Sequence, residues 1–141
     1  MIKVCIISCG MIANSAHIPA YRTFGDDFFI SAVSDINENS ARETAKRHGI
    51  PNFYVNAEEM LEKEKPDLAV FTGDQIYGLD PRLRIGNTRA NVEAIIASYL
   101  APLNEANVPF CVTFGNHDAQ CGISNEEQSL IYSKYPGFIG G

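Results

Sequence analysis

Short apolar runs alternate along the chain with segments whose apolar positions recur at helical spacing. Lys3 to Ser8 (K-V-C-I-I-S) has the apolar character of a buried strand, and Gly10 follows it at once. Met11 to about Tyr21 then reads as a helix, and Phe28 to Ser34 (F-F-I-S-A-V-S) as a second strand. Asn37 to His48 is a polar, alanine-rich helix that Gly49 and Pro51 terminate. Phe53 to Val55 is a short third strand, and Asn56 with Glu59 has the spacing of a capping box that opens a brief helix over Ala57 to Glu64. Pro66 resets the chain before a fourth strand, Leu68 to Thr72 (L-A-V-F-T), and a loop rich in Gly, Asp and Pro covers Gly73 to Asn87. Val92, Ile95, Ile96, Tyr99, Leu100 and Leu103 give the clearest amphipathic helix. Phe110 to Phe114 is a fifth strand, and Ser124 with Glu127 opens a last helix to about Lys134.

Alternation of strands and helices predicts βαβ units. The expected class is α/β, with a three-layer, mainly parallel Rossmann-like sheet of about five strands in the order 3-2-1-4-5. A length of 141 residues suits a single domain, 1–141, with one core. Apolar residues at 45% and charged residues at 20% place the chain among folded, globular sequences. Its net charge of -6 argues against a nucleic-acid surface, which needs a basic face. It leaves room for a local phosphate or metal site.

No apolar stretch approaches the roughly 18 residues of a membrane span, and the first ten or so residues lack the flanks of a signal peptide. The four cysteines, Cys5, Cys9, Cys111 and Cys121, form no Cys-x-x-Cys pair. Reduced thiols in a cytoplasmic protein are therefore expected, not a zinc ribbon or a disulfide framework. Oligomeric state stays open.

Two places carry candidate chemistry. The first is the strand–turn–helix at Ser8-Cys9-Gly10-Met11-Ile12-Ala13. Backbone N–H groups and the helix dipole face an anion at such a turn, and a missing Cβ lets a diphosphate approach. Gly10 and Ala13 supply the second and third small positions. Ser8 stands where a dinucleotide fold has glycine for the tight turn, and is small enough to keep the turn at some strain. Asp35, directly after the second strand, sits where a carboxylate would hold ribose hydroxyls and repel a 2′-phosphate, which favours NAD over NADP.

The surrounding words C-G-M-I-A-N-S-A-H-I-P-A-Y (Cys9 to Tyr21), A-V-S-D-I-N (Ala32 to Asn37) and E-K-P-D (Glu64 to Asp67) resemble the start of the Gfo/Idh/MocA oxidoreductases over about Ile2 to Ala69. That family acts on sugars, inositols and related alcohols with NAD(P). The resemblance implies cofactor contacts at Gly10, Met11, Ile12 and Asp35, and a structural role for His17. The family's catalytic lysine and histidine come from a second domain, and no residue after Ala69 is matched to them.

The second place is a pair of strand ends. Phe71-Thr72-Gly73-Asp74-Gln75 closes one strand and Phe114-Gly115-Asn116-His117-Asp118 the next, at the strand tips where α/β sheets assemble their sites. A carboxylate at Asp74 can bridge two divalent ions, an amide oxygen at Asn116 can bind one, and His117 can meet a phosphate oxygen. With A-P-L (Ala101 to Leu103), V-P-F-C-V-T-F-G-N-H-D and C-G-I-S-N-E-E-Q, these words resemble the calcineurin-like metallophosphoesterases from about Pro66 onward. The resemblance implies Asp74 as bridging ligand and Asn116 as ligand of a divalent metal (Mn, Fe, Zn or Mg). It implies His117 as general acid or oxyanion stabiliser, with Asp118 orienting His117. The family's Asp-x-His at the first strand is replaced here by Ser8-Cys9-Gly10-Met11, and His17 and His48 fall on helices, so a dinuclear centre is not expected.

Residues 1–69 are thus expected as a dinucleotide-binding half and 70–141 as a partial metallophosphoesterase half of one hybrid domain. The leading expectation is an NAD(P)-binding module with a small-molecule nucleotide or phosphoester ligand. A metal-dependent phosphoesterase and an inactive hybrid fold are the alternatives.

Overall fold

A computed structural model of the chain describes residues 1–84, 86 and 88–141. The fold is α/β with parallel strands throughout, and the chain divides into two compact units, Met1–Asp67 and Leu68–Gly141. Each unit carries a three-stranded sheet, in the orders β1-β2-β3 and β4-β5-β6.

In the first unit, β1 (Ile2–Ile7) pairs with β2 (Phe28–Ser34) from Ile2 opposite Phe28 to Ile7 opposite Ser34, and β2 pairs with β3 (Asn52–Tyr54). The expected 3-2-1 order is present. The helix after β1 is not uniform. A π-helical turn, Ala13–His17, runs into α1, Ile18–Thr23. Pro19 has no N–H to give to the preceding turn, and the Ile18 N–H reaches back to the Ala13 carbonyl.

α2 (Glu38–His48) starts on Asn37, whose side chain accepts the Ser40 N–H at 3.2 Å, and stops at Gly49, which takes the left-handed conformation at φ 58°. Its small buried residues, Ala41, Thr44 and Ala45, form one face that lies close to the sheet. Ala41 and Ala45 pack with Cys9, Ile18, Ile30, Val33 and Ile50 in the core of this unit. Each large aliphatic side chain buried there contributes about 1.5–3 kcal/mol of transfer free energy. α3 (Ala57–Glu64) is capped by Asn56, which accepts the Glu59 N–H at 3.1 Å.

In the second unit, β4 (Ala69–Thr72) pairs with β5 (Phe110–Thr113), joined through α4 (Thr88–Glu105). Val92, Ile95, Ile96, Leu100 and Leu103 are the buried residues of α4, as their spacing predicts. The Phe110 ring sits at the centre of an aromatic cluster with Phe71, Tyr132 and Phe138. α5 (Asn125–Tyr132) opens with a reciprocal capping box between Ser124 and Glu127, and ends at Tyr132, short of the expected Lys134.

A sixth strand, β6 (Phe138–Gly140), pairs with β5 and extends the 4-5 order. Three residues carry no readable periodicity, so the sequence offered no sign of it. The loop expected over Gly73 to Asn87 contains a 3-10 turn at Pro81–Arg84, while its residues 85 and 87 lie outside the described residues.

Candidate functional site

The turn after β1 is built around an unusual backbone angle. Ser8 has φ 78°, the left-handed region in which a side chain is strained and glycine is not. The sequence position that lacks its glycine is thus the position that needs one. Ser8 keeps its place in the sheet through its N–H, which donates to the Ser34 carbonyl at 2.8 Å.

The next residue is held by Asp35. The Cys9 N–H donates to Asp35 Oδ2 at 2.9 Å, and the Asn37 N–H donates to Oδ1 at 2.8 Å. These two backbone donors, Cys9 first, hold the Asp35 carboxyl below its ordinary value. A carboxylate offers about four lone-pair sites, so two such bonds leave acceptor capacity for a ligand hydroxyl. The Cys9 side chain turns the other way into the core, and burial pushes its thiol pKa up, so it stays a neutral packing group.

Gly10 is open. A Cβ placed there meets nothing nearer than Ser8 Oγ at 3.8 Å, and its φ lies outside the left-handed region. Neither conformation nor packing of the fold demands glycine at this position. Met11 and Ile12 are exposed at the helix start, while Ala13 is buried. The first-turn amides of a helix have no partner within it and present donors to an anion.

Behind the turn stands Asn14, which sequence reasoning missed. Its Nδ2 donates to the Cys9 carbonyl at 2.8 Å and the Gly10 carbonyl at 3.0 Å, and lies 3.1 Å from Thr44 Oγ1. Its Oδ1 faces His48 Nε2 at 3.0 Å. Asn14, Thr44, Gly10 and Met11, with Ser40 and Arg47, line an open cleft of about 380 Å³ between the turn and α2. An asparagine one turn into a helix gives no sequence signal of a contact 30 residues away. Only the fold brings α2 alongside. His17 is half-buried on its π-helical turn.

In the second unit the two expected loops interlock. Gly73 has φ 102°, and a Cβ on it would lie 2.9 Å from the Gly115 nitrogen. A Cβ on Gly115 would lie 2.2 Å from Asp74 Oδ1 and 2.8 Å from the Asp74 nitrogen. Both glycines are therefore required by close backbone approach. Asp74 itself has φ 58°, and its Oδ1 accepts the His117 N–H at 2.8 Å.

The role expected of Asp118 is corrected. It is fully buried, and its carboxylate accepts three backbone donors: Asp74 N–H at 2.7 Å, Gly115 N–H at 2.7 Å and Ile76 N–H at 3.0 Å. The partner facing His117 Nδ1 is Gln120 Oε1, at 3.1 Å. Asp118 thus ties the two loops together; its carboxylate is committed to backbone amides and not to an imidazole. The short Gly115–Asp118 spacing is the local signal that could have suggested this. The Tyr77 ring packs edge-on against His117 with centroids 4.7 Å apart.

Asp74 and Asn116 are exposed on these loops. Among the described residues, no three His, Cys, Asp or Glu side chains gather as a set that could hold a metal ion. Asp74 and Asn116 are two oxygen donors, fewer than a metal centre of the expected kind uses. Among the described residues, no helix is long and apolar enough to cross a membrane.

Relatives fall into two groups. A probable inactive purple acid phosphatase of Arabidopsis thaliana is 27% identical, with 99% of this chain and 35% of that protein covered. An uncharacterized protein of Schizosaccharomyces pombe is 37% identical over 62% of this chain and 15% of its own length. The chain therefore spans about a third or less of these curated relatives.

Among solved structures, an oxidoreductase from Thermotoga maritima superposes with a TM-score of 0.63 at 21% identity, covering 97% of this chain and 36% of its own. The scyllo-inositol dehydrogenase of Lactobacillus casei, solved with NAD(H) and scyllo-inositol, gives a TM-score of 0.55 at 15% identity, covering 100% of this chain and 36% of its own. Both share the fold. The oxidoreductase family with an NAD-binding Rossmann fold matches residues 2–80, past the Ala69 at which its motifs stop being readable. With the strained Ser8 turn, the open Gly10 and the Asp35 carboxylate in place, the chain belongs to the Gfo/Idh/MocA oxidoreductase family.

Proposed function

We propose that the first unit is an NAD(P)-binding module of oxidoreductase type, with NAD preferred over NADP. The observation that carries this reading is Gly10. Nothing in the fold requires glycine there, and the empty Cβ position opens onto the start of a helix. In this reading the amides of Gly10, Met11 and Ile12 bind the diphosphate, Ser8 and Ala13 shape the turn, and Asp35 accepts a ribose hydroxyl. The two backbone bonds on Asp35 keep it ionised, and its charge disfavours a 2′-phosphate. Held by these residues, NAD would supply hydride-acceptor chemistry. Calorimetric titration of NAD and NADP tests the reading: saturable binding with NAD the tighter ligand is expected, weakened at least tenfold in Asp35→Ala. An absence of saturation by either dinucleotide removes it.

A second reading, prompted by the likeness to a probable inactive purple acid phosphatase, is a metal-dependent phosphoesterase resting on Asp74, Asn116 and His117. It requires ligands beyond those the described residues bring together. Manganese-dependent hydrolysis of a nitrophenyl phosphate ester that is lost in Asp74→Ala supports it, and equal rates in chelator exclude it. Under either reading, residues 1–69 are the dinucleotide-binding half and 70–141 a half of phosphoesterase type.

A further inference from the structure

We infer that Asn14 is a positioning residue for the diphosphate turn, fixing the peptide planes whose amides meet the ligand. The inference rests on the NAD(P)-binding reading and adds a residue to it.

The geometry is specific. Asn14 Nδ2 lies 2.8 Å from the Cys9 carbonyl oxygen and 3.0 Å from that of Gly10. In a trans peptide the C=O and the following N–H point in opposite directions. Both carbonyls are drawn toward Asn14, so the amides of Gly10 and Met11 are aimed away from it. A peptide flip at either bond would turn a carbonyl oxygen, not an N–H, toward a diphosphate.

Glycine makes this control necessary. Gly10 has no Cβ and the widest choice of backbone angles of any residue, so an unrestrained turn would sample orientations that cannot bind. Neighbouring restraints cover it in part: the Asn14 backbone N–H donates to the Gly10 carbonyl at 3.2 Å, whereas Asp35 fixes the Cys9 N–H, one peptide too early, and Ser8 is tied to Ser34. Asn14 is the group placed against the peptide carbonyls on both sides of Gly10.

The carboxamide is itself oriented from α2. Thr44 Oγ1 stands 3.1 Å from Nδ2, and His48 Nε2 stands 3.0 Å from Oδ1. The Cys9 and Gly10 carbonyls only accept, so they set Nδ2 toward themselves and leave Oδ1 toward His48. His48 must then carry its proton on Nε2, which both the neutral tautomer and the imidazolium can do. His48 is half-buried, and its own carbonyl accepts from Arg22 Nη2, which ties the end of α2 to α1. The turn is thus held through Asn14 by the helix that follows Asp35.

NADH fluorescence titration of the full chain tests this, with adenosine as the probe that lacks a diphosphate. Asn14→Ala and Asn14→Asp are compared with wild type at a temperature where circular dichroism shows all three folded. Asn14→Asp keeps the size but offers acceptors where donors are needed. We expect NADH affinity to fall about tenfold in Asn14→Ala and further in Asn14→Asp. Adenosine affinity should change less than twofold. Amide resonances of Gly10 and Met11 should broaden or move in both variants before ligand is added. Unchanged NADH affinity, or equal losses for NADH and adenosine, overturns the positioning role while leaving the NAD reading intact. Failure of the wild type to bind NADH overturns both.

Discussion

The Asp35 carboxylate receives the Cys9 backbone N–H at 2.9 Å across 26 residues, so the group proposed to hold a ribose also closes the turn proposed to hold a diphosphate. The proposed function thus links binding and folding at this one carboxylate. Its folded pKa is depressed below the ordinary 3.8 by the Cys9 and Asn37 amides. The stability it contributes is therefore present above 3.8 and is lost as pH falls below that value through the folded pKa. Acid unfolding of wild type and Asp35→Asn, followed by circular dichroism, should show a smaller loss of stability with falling pH in the variant. Parallel acid limbs would argue against the link.

Gly10 separates stability from binding. A methyl group there meets nothing within 3.8 Å, so Gly10→Ala should leave stability unchanged or raise it by about 0.4–1 kcal/mol through the unfolded chain. The same methyl occupies the approach of a diphosphate, and NAD affinity should fall at least tenfold. Thermal melting and calorimetry on one preparation read both effects.

Ser8 carries strain that glycine would release. Ser8→Gly should stabilise the protein by up to about 1 kcal/mol, the cost of a left-handed residue with a Cβ, less the added chain entropy. Ser8→Val should destabilise it, because a β-branched residue tolerates φ 78° least. Urea denaturation midpoints should rank Gly above Ser above Val.

In the second unit, Gly115→Ala drives a Cβ to 2.2 Å from Asp74 Oδ1 and should destabilise by about 2 kcal/mol or more. Asp118→Ala strands three backbone donors of two loops, each costing about 1–3 kcal/mol when unsatisfied. His117→Ala keeps the backbone N–H that donates to Asp74 Oδ1 and should cost less than about 1 kcal/mol. Comparing the three denaturation midpoints distinguishes a loop clamp at Asp118 from a partner of His117.

Much of the fold was legible because it follows from local patterns. Asn37 and Gly49 bound α2, Ser124 and Glu127 open α5, and the apolar spacing of α4 names its buried residues. Ser8 could be flagged as strained because a tight turn there wants glycine, and φ 78° bears that out. What could not be read depends on chain segments meeting in space. Asn14 reaches Thr44 and His48, and Asp118 reaches Asp74 and Ile76, across separations that spacing does not encode. The π-helical turn before Pro19 was implicit in a proline that cannot donate, but its extent was set by the Ile18–Ala13 bond. β6 is too short to show a period.

The most direct measurement is a nitrogen–proton correlation spectrum of the full chain recorded while NAD is added. Saturable shifts should be largest at the Gly10, Met11 and Ile12 amides, with companions at Cys9 and Asn37, whose N–H groups sit on Asp35. A spectrum that stays unchanged, or whose saturable shifts leave the Gly10 turn untouched, would contradict a diphosphate grip at the end of β1.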